Sequence, residues 1–202
     1  MNYSQEGIGF MVRSIKGTET EKNLLKSFAG ESQARMRYTY FASRAKKEGF
    51  EQISAIFTDT GNNEREHAEK FFGFLEGGSL EISAIFPAGS VRGTAENLRF
   101  AVAGENEEYS KVYPQAAKIA DSEGFPEIAE CFRKIAVAEE YHEARYLKFL
   151  NDIESDRVFK KDIVVKWRCR NCGYVYESKE ALDKCPACLH PKAYMEKLVN
   201  DF

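Results

Sequence analysis

The sequence predicts a mainly α chain: a four-helix bundle with one long crossover connection, followed by a small C-terminal β domain stapled by metal. Three observations carry this. Glu64-x-x-His67 and Glu139-x-x-His142 each place a carboxylate and an imidazole on one helix face, about 4.5 Å apart along the axis. The segments around them repeat: Ala29-Gly30-Glu31 matches Ala103-Gly104-Glu105, Glu48-Gly49-Phe50 matches Glu123-Gly124-Phe125, and Phe74-Leu75 matches Phe149-Leu150. Cys169-x-x-Cys172 and Cys185-x-x-Cys188 fall in a short aromatic tail. One Glu-x-x-His is commonplace on a solvated helix face. Two, with further carboxylates at matching places, are the pattern of a dinuclear metal site in a bundle.

Residues 1–17 have no clear period and read as an N-terminal extension. Thr18 followed by Glu21 resembles a capping box and opens the first helix, which runs to about Lys47 and ends at Gly49. Leu24, Phe28, Glu31, Tyr38 and Ala42 share one face, so Glu31 interrupts an apolar stripe. A second helix runs from Glu51 to about Leu75 and ends at Gly77-Gly78. The connector from Ser79 to Gly93 spans roughly 50 Å when extended, enough to cross a bundle. Thr94 opens a third helix, to about Glu123, and Pro114 should kink it just past Glu105 and Glu108. Pro126 suits the first turn of a fourth, which runs to about Asn151. The bundle thus spans residues 18–151. In each half the first glutamate lies 18 or 19 residues before the turn glycine, and Glu-x-x-His lies 15 to 18 after it. Pairing the halves brings Glu31, Glu64, Glu105 and Glu139 to one level with both histidines. Residues 152–166 read as a charged linker or short strand entry, and 167–202 as a domain too small to hold itself by an apolar core alone.

The chain length fits one ordinary domain plus an appendage, and a net charge of -3 with no basic stripe argues against nucleic acid as a partner. No apolar run approaches membrane-spanning length and no signal-peptide core is seen. Paired cysteines at metal-ligand spacing suit a reducing cytoplasm.

Four glutamates at one level, with Glu108 a turn after Glu105, cannot all stay ionised inside a bundle without compensation. Two divalent cations balance four carboxylates and leave the histidines neutral; iron, manganese or zinc fits this donor set. The alternative is neutralisation by arginine or lysine, with Arg35 the main candidate. Glu108 is one carboxylate more than such a site needs. It is either a ligand that replaces a histidine on oxidation or a solvated neighbour. The four cysteines specify one tetrahedral sulfur site, for which zinc and iron fit equally. Cys131 reads as a buried core thiol, and His190 as a surface group or a neighbour of a ligand.

Gly30-Glu31-Ser32-Gln33-Ala34-Arg35, Glu64-Arg65-Glu66-His67, Glu105-x-x-Glu108-Tyr109 and Glu139-Glu140-Tyr141-His142 together closely resemble the rubrerythrin family. The tail from Trp167 to Val175, with Cys185-Pro186-Ala187-Cys188, is similar to a rubredoxin module. The N-terminal extension points to the nigerythrin branch. The resemblance implies a ferritin-like bundle holding a non-haem di-iron site, plus an Fe(Cys)4 centre: three irons per chain. It implies Glu31, Glu64, His67, Glu105, Glu108, Glu139 and His142 as di-iron ligands, with His67 and Glu108 exchanging on oxidation. Cys169, Cys172, Cys185 and Cys188 would hold the third iron. Tyr38 and Tyr113 match tyrosines beside the site. Leu189 departs from the glycine usual after the last cysteine of simple rubredoxins. The expected activity is peroxidase, reducing hydrogen peroxide to water in protection against oxidative stress. Glu31, Glu105, Glu108, His67, Tyr38 and Tyr113 would serve catalysis. Electrons would come from an NAD(P)H-dependent reductase or a separate rubredoxin, and the working unit would be a head-to-tail homodimer. The alternatives are a ferroxidase or oxidase using dioxygen, or an iron-storage protein.

Overall fold

Helix α1 (Glu19–Lys47) begins where two side chains, Thr18 and Glu123, accept from its free N–H groups. Thr18 Oγ1 accepts from Glu21 N at 3.1 Å, and Glu21 reaches back to Gly17 N at 2.8 Å. Glu123, from the turn of the other hairpin, accepts from Glu19 N and Thr20 N at 3.1 and 2.8 Å. The computed structural model describes residues 13–199, so most of the expected extension over residues 1–17 lies outside the described residues.

The second half of the bundle repeats this cap. Glu48, in the α1–α2 turn, accepts from Thr94 N at 2.9 Å and Thr94 Oγ1 at 2.6 Å, at the start of α3 (Thr94–Glu107). Each turn closes identically. Gly49 and Gly124 both take φ 84°, and Phe50 N and Phe125 N donate back to Ala45 O and Ala120 O. The repeated Glu-Gly-Phe is therefore a device: its glycine turns the chain and its glutamate caps the opposite hairpin.

This cap gives a testable pH dependence. Burial opposes ionisation of Glu48 and Glu123, but the bonds from Thr94 and Thr20 outweigh it and hold both carboxyls below their ordinary value. Because the folded value is depressed, the stabilisation is complete above the unfolded value and is lost as pH falls through the folded one. Glu123→Ala is expected to cost about 1 kcal/mol at neutral pH. Denaturation at pH 7 and again below pH 4 checks this: the difference from wild type should shrink in acid.

Helix α2 (Glu51–Gly73) ends earlier than the expected Leu75, and residues 74–93 cross the bundle without helix or strand. The expected single third helix is three segments: α3, a π turn over Glu108–Val112, and α4 (Tyr113–Ser122). Pro114 offers no N–H to the preceding turn, and the ladder widens to a π turn just before it. Ser110 Oγ supplies a donor inside the widened turn, to Asn106 O at 2.5 Å. Helix α5 (Pro126–Glu154) overruns the expected end at Asn151 by a turn.

The bundle has two apolar ends. Leu24, Phe71, Ala117, Phe125 and Phe132 lead one, and Phe41, Ala45, Ile53, Phe57, Leu98 and Phe149 the other. Between them lies a belt of buried Glu31, Glu64, Glu105, Glu139 and His142. Among the described residues, no helix is long and apolar enough to cross a membrane.

Strand β1 (Lys160–Cys169) starts inside the stretch expected to be a linker or short strand entry. It pairs with β2 (Val175–Glu180) from Lys160 onward, and Ala181 N bonds Phe159 O, so backbone pairing recruits those charged residues. With β3 (Met195–Lys197) they form a sheet of order β2-β1-β3 around buried Trp167 and Met195. Phe159 stacks on Phe50, and Ala193 lies 3.7 Å from where a Cβ on Gly49 would stand, so the sheet domain rests on the α1–α2 turn.

Candidate metal centres

Helical spacing aims the belt residues inward, and the two halves complete each other. Glu64 gives Oε2 to His67 Nδ1 at 3.0 Å and Oε1 to His142 Nδ1 at 3.3 Å. Glu139 does the same, with 2.9 Å to His67 and 2.7 Å to His142. Glu31 lies 3.7 Å from His67, and Glu105 3.6 Å from His142. Two donor groups result: Glu31, Glu64, His67, Glu139, and Glu64, Glu105, Glu139, His142, each with ligand atoms within 4.8 Å of one another. Glu64 and Glu139 belong to both, as carboxylates bridging two ions would.

The belt fits metal on its own chemistry. Glu31 Oε2, Glu64 Oε1, Glu105 Oε2, both Glu139 oxygens and His142 Nδ1 are buried, and none of them takes part in an aligned hydrogen bond despite the close approaches within the belt. Such groups are rare in native proteins and call for an electropositive partner. Among the described residues, no lysine or arginine pairs with these glutamates; Arg35 bonds Thr39 instead, on the outside. Neutralisation by arginine is therefore not what this belt uses.

Without metal the belt holds protons. Burial, then the charges of Glu139, Glu64 and Glu108, keep Glu31 well above the ordinary carboxylate range. Burial raises Glu105 to about 8. Burial also works against charge on the histidines, but Glu139 and Glu64 lift His67 to about 9, and Glu105, Glu139 and Glu64 lift His142 to about 12. Ligation requires those protons to leave. Calorimetric titration of metal-free protein with Zn(II) at pH 7, in two buffers of different ionisation enthalpy, is expected to show release of roughly two or more protons per filled site. Heats independent of buffer would contradict this.

Tyr38 donates to Glu105 and Tyr113 donates to Glu31, each across the bundle from its own helix neighbour. Glu108 enters neither donor group. It is half-buried at the head of the π turn, where burial, then Glu105, Glu139 and Glu64, hold its carboxyl well above the usual range. The structure adds two residues that the sequence reading did not single out. Asn63 Oδ1 lies 3.3 Å from His142 Nε2, anchoring the outer edge of that ring. Tyr146, one turn after His142, is fully buried and packs edge-on against Tyr38 at 5.5 Å.

In the sheet domain all four cysteines converge, with Cys169–Cys188 and Cys172–Cys185 Sγ distances of 3.6 Å, and none is in a disulfide. The two knuckles match: Gly173 N donates to Cys169 O and Leu189 N to Cys185 O, both at 2.9 Å. Leu189 takes φ 62°, so it keeps the left-handed geometry that glycine supplies at Gly173. His190 Nδ1 lies 3.2 Å from the carbonyl of Cys188, and Cys131 sits half-buried at the edge of the core.

A family model described as rubrerythrin matches residues 22–150, and one described as rubrerythrin, rubredoxin-like domain, matches residues 167–196. The chain belongs to the rubrerythrin family. A rubrerythrin from Porphyromonas gingivalis is 57% identical over 95% of this chain and 96% of that protein. The nigerythrin of Nitratidesulfovibrio vulgaris is 32% identical over 86% of this chain and 83% of its own. Sequence identity thus lies nearer the first relative than the branch suggested by the N-terminal extension. A solved structure of nigerythrin in its fully reduced, all-ferrous state superposes with a TM-score of 0.61 at 29% identity, over 92% of both chains. As a rubrerythrin, the chain carries a di-iron carboxylate site in its ferritin-like bundle and a rubredoxin-like iron site of four cysteines in its sheet domain.

Proposed function

We propose that this rubrerythrin is a peroxidase that reduces hydrogen peroxide to water, with electrons reaching the bundle through the cysteine centre. The observation that carries this is the presence, in one chain, of a buried two-metal belt and a four-thiolate centre. Iron storage gives no reason for the second. In this reading one ion takes Glu31, Glu64, His67 and Glu139, and the other takes Glu64, Glu105, Glu139 and His142. Glu108 would be the carboxylate that exchanges with His67 between oxidation states. Cys169, Cys172, Cys185 and Cys188 hold the third iron.

Bound iron supplies both electrons and Lewis acidity toward the peroxide oxygens. The chain supplies protons and dryness. Reducing one hydrogen peroxide to two waters consumes two electrons and two protons. Burial, then the charge of Glu105 or Glu31, holds the phenols of Tyr38 and Tyr113 well above their ordinary value, so both stay neutral donors. Each hands its hydrogen bond to a belt carboxylate, and Glu31 and Glu105 are the groups through which protons pass in and out. The apolar ends keep bulk water from the belt.

The electron source is an NAD(P)H-dependent reductase or a small rubredoxin, and the setting is the cytoplasm. The working unit is a head-to-tail homodimer. The sheet domain rests on its own α1–α2 turn, whereas Glu64 lies about 20 Å further along α2 from Glu51. A neighbour's sheet domain, packed antiparallel, closes that gap. Stopped-flow mixing of the fully reduced protein tests the reading. Hydrogen peroxide should oxidise the belt faster than dioxygen at equal concentration, by roughly tenfold or more. Equal rates, or a faster reaction with dioxygen, would make the protein an oxidase or ferroxidase instead.

A further inference from the structure

The imidazoles wall off the α2–α5 side of the belt: the His67 and His142 rings lie 6.0 Å apart at 26°, each with Nδ1 turned inward to the glutamates. On the opposite side, between α1 and α3, a cleft of about 540 Å³ reaches Glu108 and Tyr113. Its outer wall is the crossover. Phe86 closes over Gly30, and Gln33 Nε2 donates to Pro87 O at 3.3 Å. Both glycines of the repeat, Gly30 and Gly104, line the cleft. A Cβ on Gly104 would meet nothing within 4 Å, so helix packing does not require glycine there; what its absence of side chain leaves is open passage.

Two polar atoms of this wall, Gln33 Oε1 and Arg37 Nε, are buried without partners. One accepts and the other donates. A molecule with an O–H next to an oxygen lone pair satisfies both, and a hydroperoxide has that pair of groups on adjacent atoms.

We propose that the α1–α3 cleft is the way in and the holding site for a small hydroperoxide, bound between Gln33 and Arg37, with Gly104 keeping the passage open and the crossover excluding bulkier molecules. The identity of the ligand rests on the peroxidase reading; the route does not. On this side the cleft reaches Glu108 and Tyr113, whereas on the other the imidazoles of His67 and His142 themselves line the surface clefts.

The test uses iron-loaded full-length protein and two probes, azide and hydrogen peroxide. In Gly104→Leu, azide association with the oxidised belt, followed by its visible absorption, and oxidation of the reduced belt by hydrogen peroxide should both slow by roughly tenfold or more. Iron content and the unliganded spectrum should match wild type. Gln33→Leu should raise several-fold the hydrogen peroxide concentration giving half-maximal rate and leave the limiting rate unchanged. Should Gly104→Leu fail to take up iron, Ala84→Trp, on the crossover and away from every ligand, carries the same expectation. Wild-type azide and peroxide rates in an iron-loaded plugged variant would overturn the proposal. If azide is blocked in the variants while wild type does not turn over peroxide, the route stands and the peroxidase reading fails.

Discussion

Glu139→Ala is expected to abolish loading of the bundle's iron pair while the cysteine centre stays full. Glu139 offers one oxygen to each imidazole, and both oxygens are buried with no aligned hydrogen bond. Alanine therefore removes a ligand from both ions at once. Loss of even an outer partner of a metal ligand weakens binding by about 10–100-fold, so loss of a shared ligand should cost at least the upper end of that range. Iron analysis should fall from three to one per chain, and reaction of reduced protein with peroxide should vanish. The helices should remain, because the two apolar ends pack independently of the belt. Retention of both bundle irons would refute the assignment of Glu139 as a bridge.

Cys172→Ser is expected to remove the visible ferric-thiolate bands and to leave the bundle irons in place. Cys172 is the exposed member of the four, and serine replaces a soft thiolate with a poor alcohol ligand. Two activities then separate. Direct oxidation of the reduced belt by one addition of peroxide should persist, and turnover with an external reductant should stop. The pair of variants also tests the dimer. A confirmed heterodimer of Cys172→Ser and Glu139→Ala subunits has one sound belt and one sound carrier, on different chains. Head-to-tail packing predicts recovered turnover in that heterodimer. Heterodimers as inactive as both parents would place electron flow within a chain.

What could be read from the sequence was whatever a local pattern encodes. The bundle, its turns and the meeting of Glu31, Glu64, His67, Glu105, Glu139 and His142 follow from helical period, capping residues and an internal repeat. What depends on the partner element was hidden. Tyr38 lies on the helix of Glu31 yet bonds Glu105, and Tyr113 makes the reverse crossing; spacing along one helix cannot show that exchange. The Glu-Gly-Phe repeat was visible, but its capping role requires knowing which helix starts beside it. Pro114 announced a disturbance and not its form, since a kink and a π turn both answer a missing N–H. Lys160 to Lys166 read as a linker or short strand entry because its charged residues masked Ile163-Val164-Val165, and its pairing with β2 depends on a partner not visible in the segment itself. Glu108 stayed outside both donor groups, half-buried beside the cleft.

The most direct measurement follows the cysteine centre while the belt reacts. Fully reduced wild-type protein is mixed with one equivalent of hydrogen peroxide under anaerobic conditions, and the ferric-thiolate absorption is recorded against time. The belt should oxidise first, and the thiolate bands should then grow in as electrons leave the cysteine centre, a second phase that is lost in Glu139→Ala. Thiolate bands that grow at the same rate with Glu139→Ala would mean that peroxide attacks the cysteine centre directly, and the belt would not be where peroxide is reduced.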